Sequence, residues 1–455
     1  MILRRTESDL LGLIDVPDDA LYGAQTQRAI GNFPIGSGKT IGRYANLIRG
    51  LIYIKKAAAQ VNRRNVFLSG DKAESIIKAA DLVLKQGNYT TDFPVHSLHG
   101  GGGTSANMNA NEVLANLAEE ILGGKRGQYK LVHPNDHVNL HQSTNDVYPT
   151  ACHMAVILSW PVLQEALSGL QSAFERRATE LSGQNRIART CLQDAVEVTF
   201  GDLLGGYAAF MARSNARIDA AVDRLHMVNL GGTIVGRAID VPDAYRREIV
   251  PMLCEIVGNQ KFCQADNLYD AAQNPDELAV VSAQLDILAR GLIKVAQDFR
   301  LMGSGPETGF GEIRLPAVQP GSSIMPGKIN PVIPEFLMQA CFQVIGANTA
   351  CQAALDHGEL DLNIWESVMV TNVLDAMELL AIAVATFGEK CVRGFTVNTG
   401  CNNQNTQTII PRLTELMRLH GYSKISELCK KAANDPARLR TLLQESIFEE
   451  KDRHK

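Results

Sequence analysis

Apolar residues in this chain recur at intervals of three and four over long stretches, and the sustained alternation that marks a half-buried strand is scarce. The clearest stretch follows Gln273, where Leu278, Val281, Leu285, Leu288, Leu292, Val295, Phe299 and Met302 form one stripe. Asn274 is placed to cap it, Pro275 suits the first helical position, and Glu277 stands where a capping box puts its acidic member. A stripe of that length describes a helix packed along a narrow seam in a bundle. A second long helix is expected soon after Pro334, with Leu337, Cys341 and Ile345 along one edge. A third is expected from Leu362 to Val392, about 45 Å at the helical rise. Its LLAIAVATF stretch is apolar on every side, so it needs burial all round, and other subunits are expected to supply part of that burial. The pattern predicts a mainly α protein.

Composition narrows the function classes. With 455 residues the chain is long enough for two or three domains, and 45% hydrophobic with 20% charged residues excludes a disordered chain. A net charge of −5 leaves no electrostatic footprint for nucleic acid or an anionic membrane, so any anion selectivity has to come from a local site and the expected partner is a small molecule. Nine cysteines with no CxxC pair suit free thiols in a reducing compartment. The segment MILRRTESDLLG lacks the apolar core of a secretory signal, and no run approaches the length of a transmembrane helix, so the expected location is cytoplasmic.

The densest chemistry lies in GSSIMPGKINPVIPE, from Gly321 to Glu335. Lys328 supplies charge and Asn330 directed amide donors, a pair suited to clamping one carboxylate, with Ser322 and Ser323 facing whatever the clamp holds. A serine hydroxyl becomes a useful base only when its alkoxide is stabilised by a cation and backbone N–H groups. The same residue types also build ordinary solvated turns, and composition leaves both readings open. Four glycines from Gly100 to Gly103 precede Thr104 and let the backbone approach an anion closely, although no Gly-Lys-Ser/Thr follows to make a nucleotide loop. Gln142, Ser143, Thr144, Asn145 and Asp146 form a row of groups suited to a second carboxylate, and equally to capping a helix. His133, His137 and His141 recur at the spacing of helical metal ligands, but Pro134, Asn135 and Asp136 argue against a continuous helix there, so no metal is expected.

The pattern GSSxMPxKxNP resembles the signature of the aspartase/fumarase superfamily at every fixed position from Gly321 to Pro331. Similar segments are GGGGTSANMNANEVLAN from Gly100, HPNDHVN from His133, QSTNDVYPTA from Gln142, RTCLQDAV from Arg189, SGPETG from Ser304 and GELDLNIWES from Gly358. The resemblance implies a mainly α, three-domain aspartase/fumarase-like fold. Residues 1–147 would form an amino-terminal mainly α domain, 148–395 a central long-helix bundle carrying the signature loop at 317–335, and 396–455 a small divergent helical domain. It also implies a homotetramer with a twenty-helix core, active sites shared by three subunits, and neither metal nor cofactor.

For the site, the resemblance implies Ser322 as general base, Lys328 as catalytic cation and, with Asn330, the α-carboxylate clamp. Thr104, Ser143, Thr144, Asn145, Thr190, Cys191 and Ser323 would bind the rest of the substrate, with Glu335 in support. INPVIPE is similar to the aspartase VNPVVPE, and LNIWES to the aspartase LNVMEP, with Glu366 where fumarases carry arginine. The expected activity is therefore a C–N lyase that releases ammonia from L-aspartate through an aci-carboxylate intermediate. A fumarate hydratase, a lyase for an N-substituted aspartate and an inactive scaffold are the alternatives. The chain departs from the pattern at Cys191, where the family carries His or Gln, because a thiol is a weak donor and no proton relay near neutral pH. His99, Glu197, Glu307 and the segment from about Thr396 depart as well.

Overall fold

The computed structural model describes residues 3–34, 38–237, 239–433 and 435–453. The stripe after Gln273 folds as the helix Asp276–Met302, and every one of its eight apolar positions is buried. Its start differs in detail from expectation. The Pro275 carbonyl accepts the N–H groups of Leu278 and Ala279 at 3.2 and 3.4 Å, but Asn274 donates to Asp270 Oδ1 at 2.7 Å, so the expected capping box does not form.

The second long helix is Val332–Leu355, with Leu337 and Cys341 buried and Ile345 half-buried. The third is Glu366–Phe387, and it starts later than the expected Leu362. Asn363 explains the delay: its amide donates to Ala354 O at 3.2 Å while its Oδ1 accepts Trp365 N–H at 2.9 Å, which holds Leu362–Trp365 out of the helix. A wider helical turn, Gly388–Val392, carries the axis on. By length and composition Glu366–Val392 is long and apolar enough to cross a membrane, which corrects the expectation that no run is. With 61% of its most apolar window buried, it is covered largely by the chain's own core. Two further long helices are Thr144–Glu180 and Phe200–Arg224.

The chain packs as two compact units. One comprises Met1–Glu165, Ser214–Arg290 and Ala340–Ala381, and the other Ala166–Arg213, Gly291–Gln339 and Ile382–Lys455. In the first, helices Ala45–Arg64, Gly70–Gln86 and Thr104–Ile121 pack in sequence. Glu112, buried in the last of them, accepts the Gly23, Gln25 and Thr26 N–H groups at 2.9, 2.8 and 3.1 Å and so caps the helix Ala24–Asn32. Taking that carboxyl out of water pushes it up to about 7.

In the second unit, Phe174, Tyr207, Phe299, Phe387 and Phe395 form an aromatic core. A two-stranded antiparallel hairpin pairs Asn185–Thr190 with Gln193–Thr199. A separate small core of Ile409, Ile425, Ala432, Leu439 and Leu443 joins the helices Ile409–His420, Tyr422–Ala432 and Pro436–Arg453.

Candidate active site

In the first unit the glycine run turns through φ values of +87°, +60° and +88° at Gly101, Gly102 and Gly103. Only glycine fits the last of these, because a Cβ there would sit 2.3 Å from the Tyr148 ring. The run then enters the helix Thr104–Ile121, with Thr104 Oγ1 donating to Gly101 O at 2.7 Å.

The row Ser143–Asp146 opens the helix Thr144–Glu180 and fulfils the capping reading as well as offering donors. Ser143 Oγ accepts Asn145 N–H at 3.2 Å, and Asp146 Oδ1 accepts Ser143 N–H at 3.0 Å. Asp146 Oδ2 accepts the Gly231 and Thr233 N–H groups at 2.9 and 3.1 Å, while complete burial pushes its carboxyl up to about 6. Asn145 Nδ2 donates to Ile234 O at 2.9 Å. Thr144 Oγ1 accepts from Asn107 Nδ2 at 3.0 Å, a bond that joins the row to the helix bearing Thr104.

Beneath the row lies a side chain that the sequence did not single out. Lys55 is fully buried on the helix Ala45–Arg64, and its Nζ donates to Asn139 Oδ1 at 2.8 Å. Burial pulls its ammonium down to about 7, opposed by the negative charge of Asp146. The available signal was a lysine on the buried stripe of Ile48, Leu51, Ile52 and Ala59, a place where a charge needs a partner.

The three histidines turn to three different partners. His133 Nδ1 accepts the Asn135 and Asp136 N–H groups at 3.2 and 3.3 Å, His137 Nε2 lies 2.8 Å from Lys72 Nζ, and His141 Nδ1 lies 2.8 Å from Asn62 Oδ1.

In the second unit Thr190 and Cys191 stand exposed at the tip of the hairpin. Thr190 pairs with Gln193, which leaves Cys191 and Leu192 as a two-residue loop with φ of +53° and +60°. That geometry matches the twist of the strands, but each non-glycine residue held there costs about 1–2 kcal/mol. The strands are anchored by Glu312, whose fully buried carboxylate pairs with Arg186 Nη2 at 3.4 Å and makes a short contact with Arg189 Nη1. The Arg189 guanidinium lies 4.6 Å over the Phe310 ring.

The signature loop folds back on itself. Gly321 N–H donates to Lys328 O at 2.9 Å and Asn330 Nδ2 donates to Gly321 O at 2.7 Å, so Lys328 and Asn330 bracket Gly321. A Cβ on Gly321 would lie 2.5 Å from Lys328 O, which is why glycine stands there. Ser322 Oγ accepts two backbone N–H groups, from Ile324 at 3.1 Å and Met325 at 2.8 Å. Ser323 and Lys328 are exposed, and the loop lines an open cavity of about 410 Å³ with Ser322 and Lys328 on its wall. Glu335, in the first turn of Val332–Leu355, pairs with Arg300 at 3.5 Å.

The structure thus gathers Ser322, Ser323, Lys328 and Asn330 in one loop and links Thr104's helix to Thr144. It sets Thr190 and Cys191 on a separate hairpin.

A family of lyases matches residues 12–346 of the chain. Aspartate ammonia-lyase of Escherichia coli (strain K12) is 39% identical over 428 residues, covering 93% of this chain and 89% of that one. Aspartate ammonia-lyase of Corynebacterium glutamicum is 38% identical over 448 residues, covering 98% and 85%. Among solved structures, a fumarate lyase:delta crystallin from Brucella melitensis bound to cobalt superposes with a TM-score of 0.93 at 40% identity, covering 98% of this chain and 96% of that one. A class II fumarase from Schistosoma mansoni superposes with a TM-score of 0.93 at 32% identity, covering 97% and 95%. With likeness running almost end to end and the signature loop intact within it, the chain belongs to the aspartase/fumarase superfamily of lyases.

Proposed function

We propose that the chain is an aspartate ammonia-lyase, releasing ammonia from L-aspartate to leave fumarate. The observation that carries this reading is the setting of Ser322, whose Oγ lies on the Ile324 and Met325 N–H groups in the loop that also holds Lys328. Two fixed backbone donors and a nearby cation are what a serine alkoxide needs to act as a base. The alkoxide takes the β-proton, and the C–H electron pair moves onto the adjacent carboxylate as an aci-carboxylate. Return of that pair forms the C=C bond and expels the nitrogen with its bonding pair. Lys328 and Asn330 hold the α-carboxylate. Thr104, Ser143 and Thr144 offer neutral donors to the carboxylate that gains charge, Asn145 meets the amino group, and Thr190 and Cys191 complete the binding set. Neutral donors suit that task because their hydrogen bonds strengthen as the charge develops.

The relatives named aspartate ammonia-lyase and the INPVIPE and LNIWES segments support ammonia as the leaving group. A second reading, an N-substituted aspartate, draws on Cys191, whose small side chain at the hairpin tip stands where a bulkier imidazole or amide is usual.

We also infer a homotetramer whose sites draw on three subunits, and domains 1–147, 148–395 and 396–455. Val280, Ile287, Phe342 and Ile382 on the long helices are 41%, 44%, 52% and 53% exposed in the single chain, apolar surface that subunit contacts would cover. The separate core at Ile409 and Leu443 supports the last domain. Nine free cysteines suit a cytoplasmic location.

The test is ultraviolet absorbance of the purified protein with L-aspartate and, separately, L-malate, following the conjugated double bond of fumarate. Signal from aspartate that Ser322→Ala abolishes in a folded tetramer is expected. Signal from malate alone would replace the reading by fumarate hydratase, and silence toward both would favour an N-substituted substrate.

A further inference from the structure

We propose that Lys55 is a positioning residue for this reaction: acting through Asn139 and Asn107, it fixes the sense of a buried hydrogen-bond chain so that the Thr144 hydroxyl must offer its proton to the substrate carboxylate. The inference rests on the reading of Thr144 as a carboxylate ligand.

The chain can be followed atom by atom. An ammonium has three N–H donors and no acceptor, so Asn139 must turn its Oδ1 to Lys55 Nζ, 2.8 Å away. That leaves Asn139 Nδ2 to donate to Gln142 O at 3.1 Å, which ties down the start of the donor row. The same Oδ1 lies 3.2 Å from the Asn107 amide and 3.1 Å from the Asn111 amide. Two carbonyl oxygens would repel at that distance, so both amides present Nδ2. Asn107 Nδ2 in turn lies 3.0 Å from Thr144 Oγ1. A hydroxyl whose lone pair is taken by an amide N–H turns its own proton elsewhere, and here that direction is away from the asparagine cluster.

Lys55 and the Gln142 carbonyl together give this chain its direction, the ammonium demanding an acceptor of Asn139 and the carbonyl a donor. An amide turned by 180° keeps its shape and exchanges donor for acceptor, so three asparagines alone would leave Thr144 free to point its proton inward. Asp146 does not compete for the chain, because its oxygens are taken by the Ser143, Gly231 and Thr233 N–H groups. Lys55 is shut off from solvent, so water cannot substitute for it. The result is a donor preorganised for the carboxylate that carries the charge of the aci-intermediate.

Steady-state formation of fumarate from L-aspartate, compared among wild type, Lys55→Met, Thr144→Val and the double variant, tests the inference. Each single change should lower kcat about 100-fold, as loss of one preorganised donor does, with KM moving much less. The double variant should be no worse than either single one, because both remove the same contact. Effects that multiply would overturn the inference and leave Lys55 a structural residue only. A harmless Thr144→Val would remove the reading of Thr144 and this inference with it, whereas a harmful Thr144→Val combined with multiplying effects would remove this inference alone. Should Lys55→Met fail to fold, Asn107→Asp serves. It keeps the shape, places a carboxylate oxygen where the amide meets Asn139 and Thr144, and turns the donor facing Thr144 into an acceptor. In the folded variant kcat should fall at least as far with KM moving much less, and a wild-type kcat in that variant would overturn the inference.

Discussion

Glu312 stands nine residues before Gly321 and is assigned no part in the chemistry, yet its replacement by glutamine should cripple the enzyme. Its buried carboxylate is shared by Arg186 and Arg189, which leave the hairpin strand that ends in Thr190. Glutamine keeps the size and one acceptor oxygen but removes the charge, leaving two largely buried guanidinium groups without their counterion. Breaking a buried ion pair from one side costs about 3–5 kcal/mol. Part of that is recoverable, because Arg189 keeps its stack on Phe310 and can move toward Asp194, 3.7 Å away. Retaining the lower half of the range gives about 3 kcal/mol, or roughly a hundredfold shift toward states in which the hairpin leaves its seat. The backbone of Glu312 remains held, since its carbonyl accepts Asn398 N–H and Asn402 Nδ2 at 2.9 Å each. Opening should therefore be local to the hairpin. Amide hydrogen exchange across 185–199 should accelerate about a hundredfold while the Asp276–Met302 helix keeps its protection, and, on the proposed reading of Thr190 as a substrate ligand, kcat/KM should drop with its displacement. Arg189→Met added to Glu312→Gln should restore part of the exchange protection by removing the orphaned charge. Exchange across the hairpin within a few-fold of wild type, together with unchanged kcat/KM, would refute the reasoning.

Ser322→Ala should leave the melting temperature within a degree or two while turnover falls by about three orders of magnitude or more, a pattern read from kinetics and melting on one sample. Gly103→Ala should destabilise by about 2–5 kcal/mol, the sum of a left-handed backbone penalty and displacement of the Tyr148 ring, and a denaturation midpoint equal to wild type would count against it. Burial pushes the Glu366 carboxyl up from 4.5 to about 8. The folded state therefore holds that proton more tightly than the unfolded one, so this group's contribution is complete below pH 4.5 and is lost as pH rises toward and through about 8. Glu366→Gln should match wild type in stability near pH 4 and exceed it near pH 8.5. Melting curves separated by the same interval at both pH values would rule this out.

How much of this could be read from the chain depends on how far each interaction reaches. The stripe from Leu278 to Met302 was legible because helical periodicity is local and burial follows it. The Asn274 cap was misjudged because Asp270, one turn earlier, competes for the same side chain. The late start at Glu366 was hidden because Asn363 is held by the carbonyl of Ala354 on another helix. Within the candidate site, the turn around Ser322 was legible: its Oγ takes N–H donors from residues two and three positions on, an arrangement that a Gly-Ser-Ser turn encodes by itself. Lys55 and Glu312 were not, since their partners lie 84 and 126 residues away and only the folded packing joins them.

The signature loop at rest has already committed two of its polar side chains. The Asn330 amide is bound to the Gly321 carbonyl, and Ser322 Oγ is wrapped by its own turn. A ligand entering this loop has to outbid an existing bond rather than fill a vacancy. Water and singly charged acids offer the amide no better bargain than the carbonyl it holds. A ligand with anionic groups at both ends recovers the exchange at one and gains at the other. If the loop binds substrate as proposed, a dicarboxylate should displace these bonds where a half-matching acid does not.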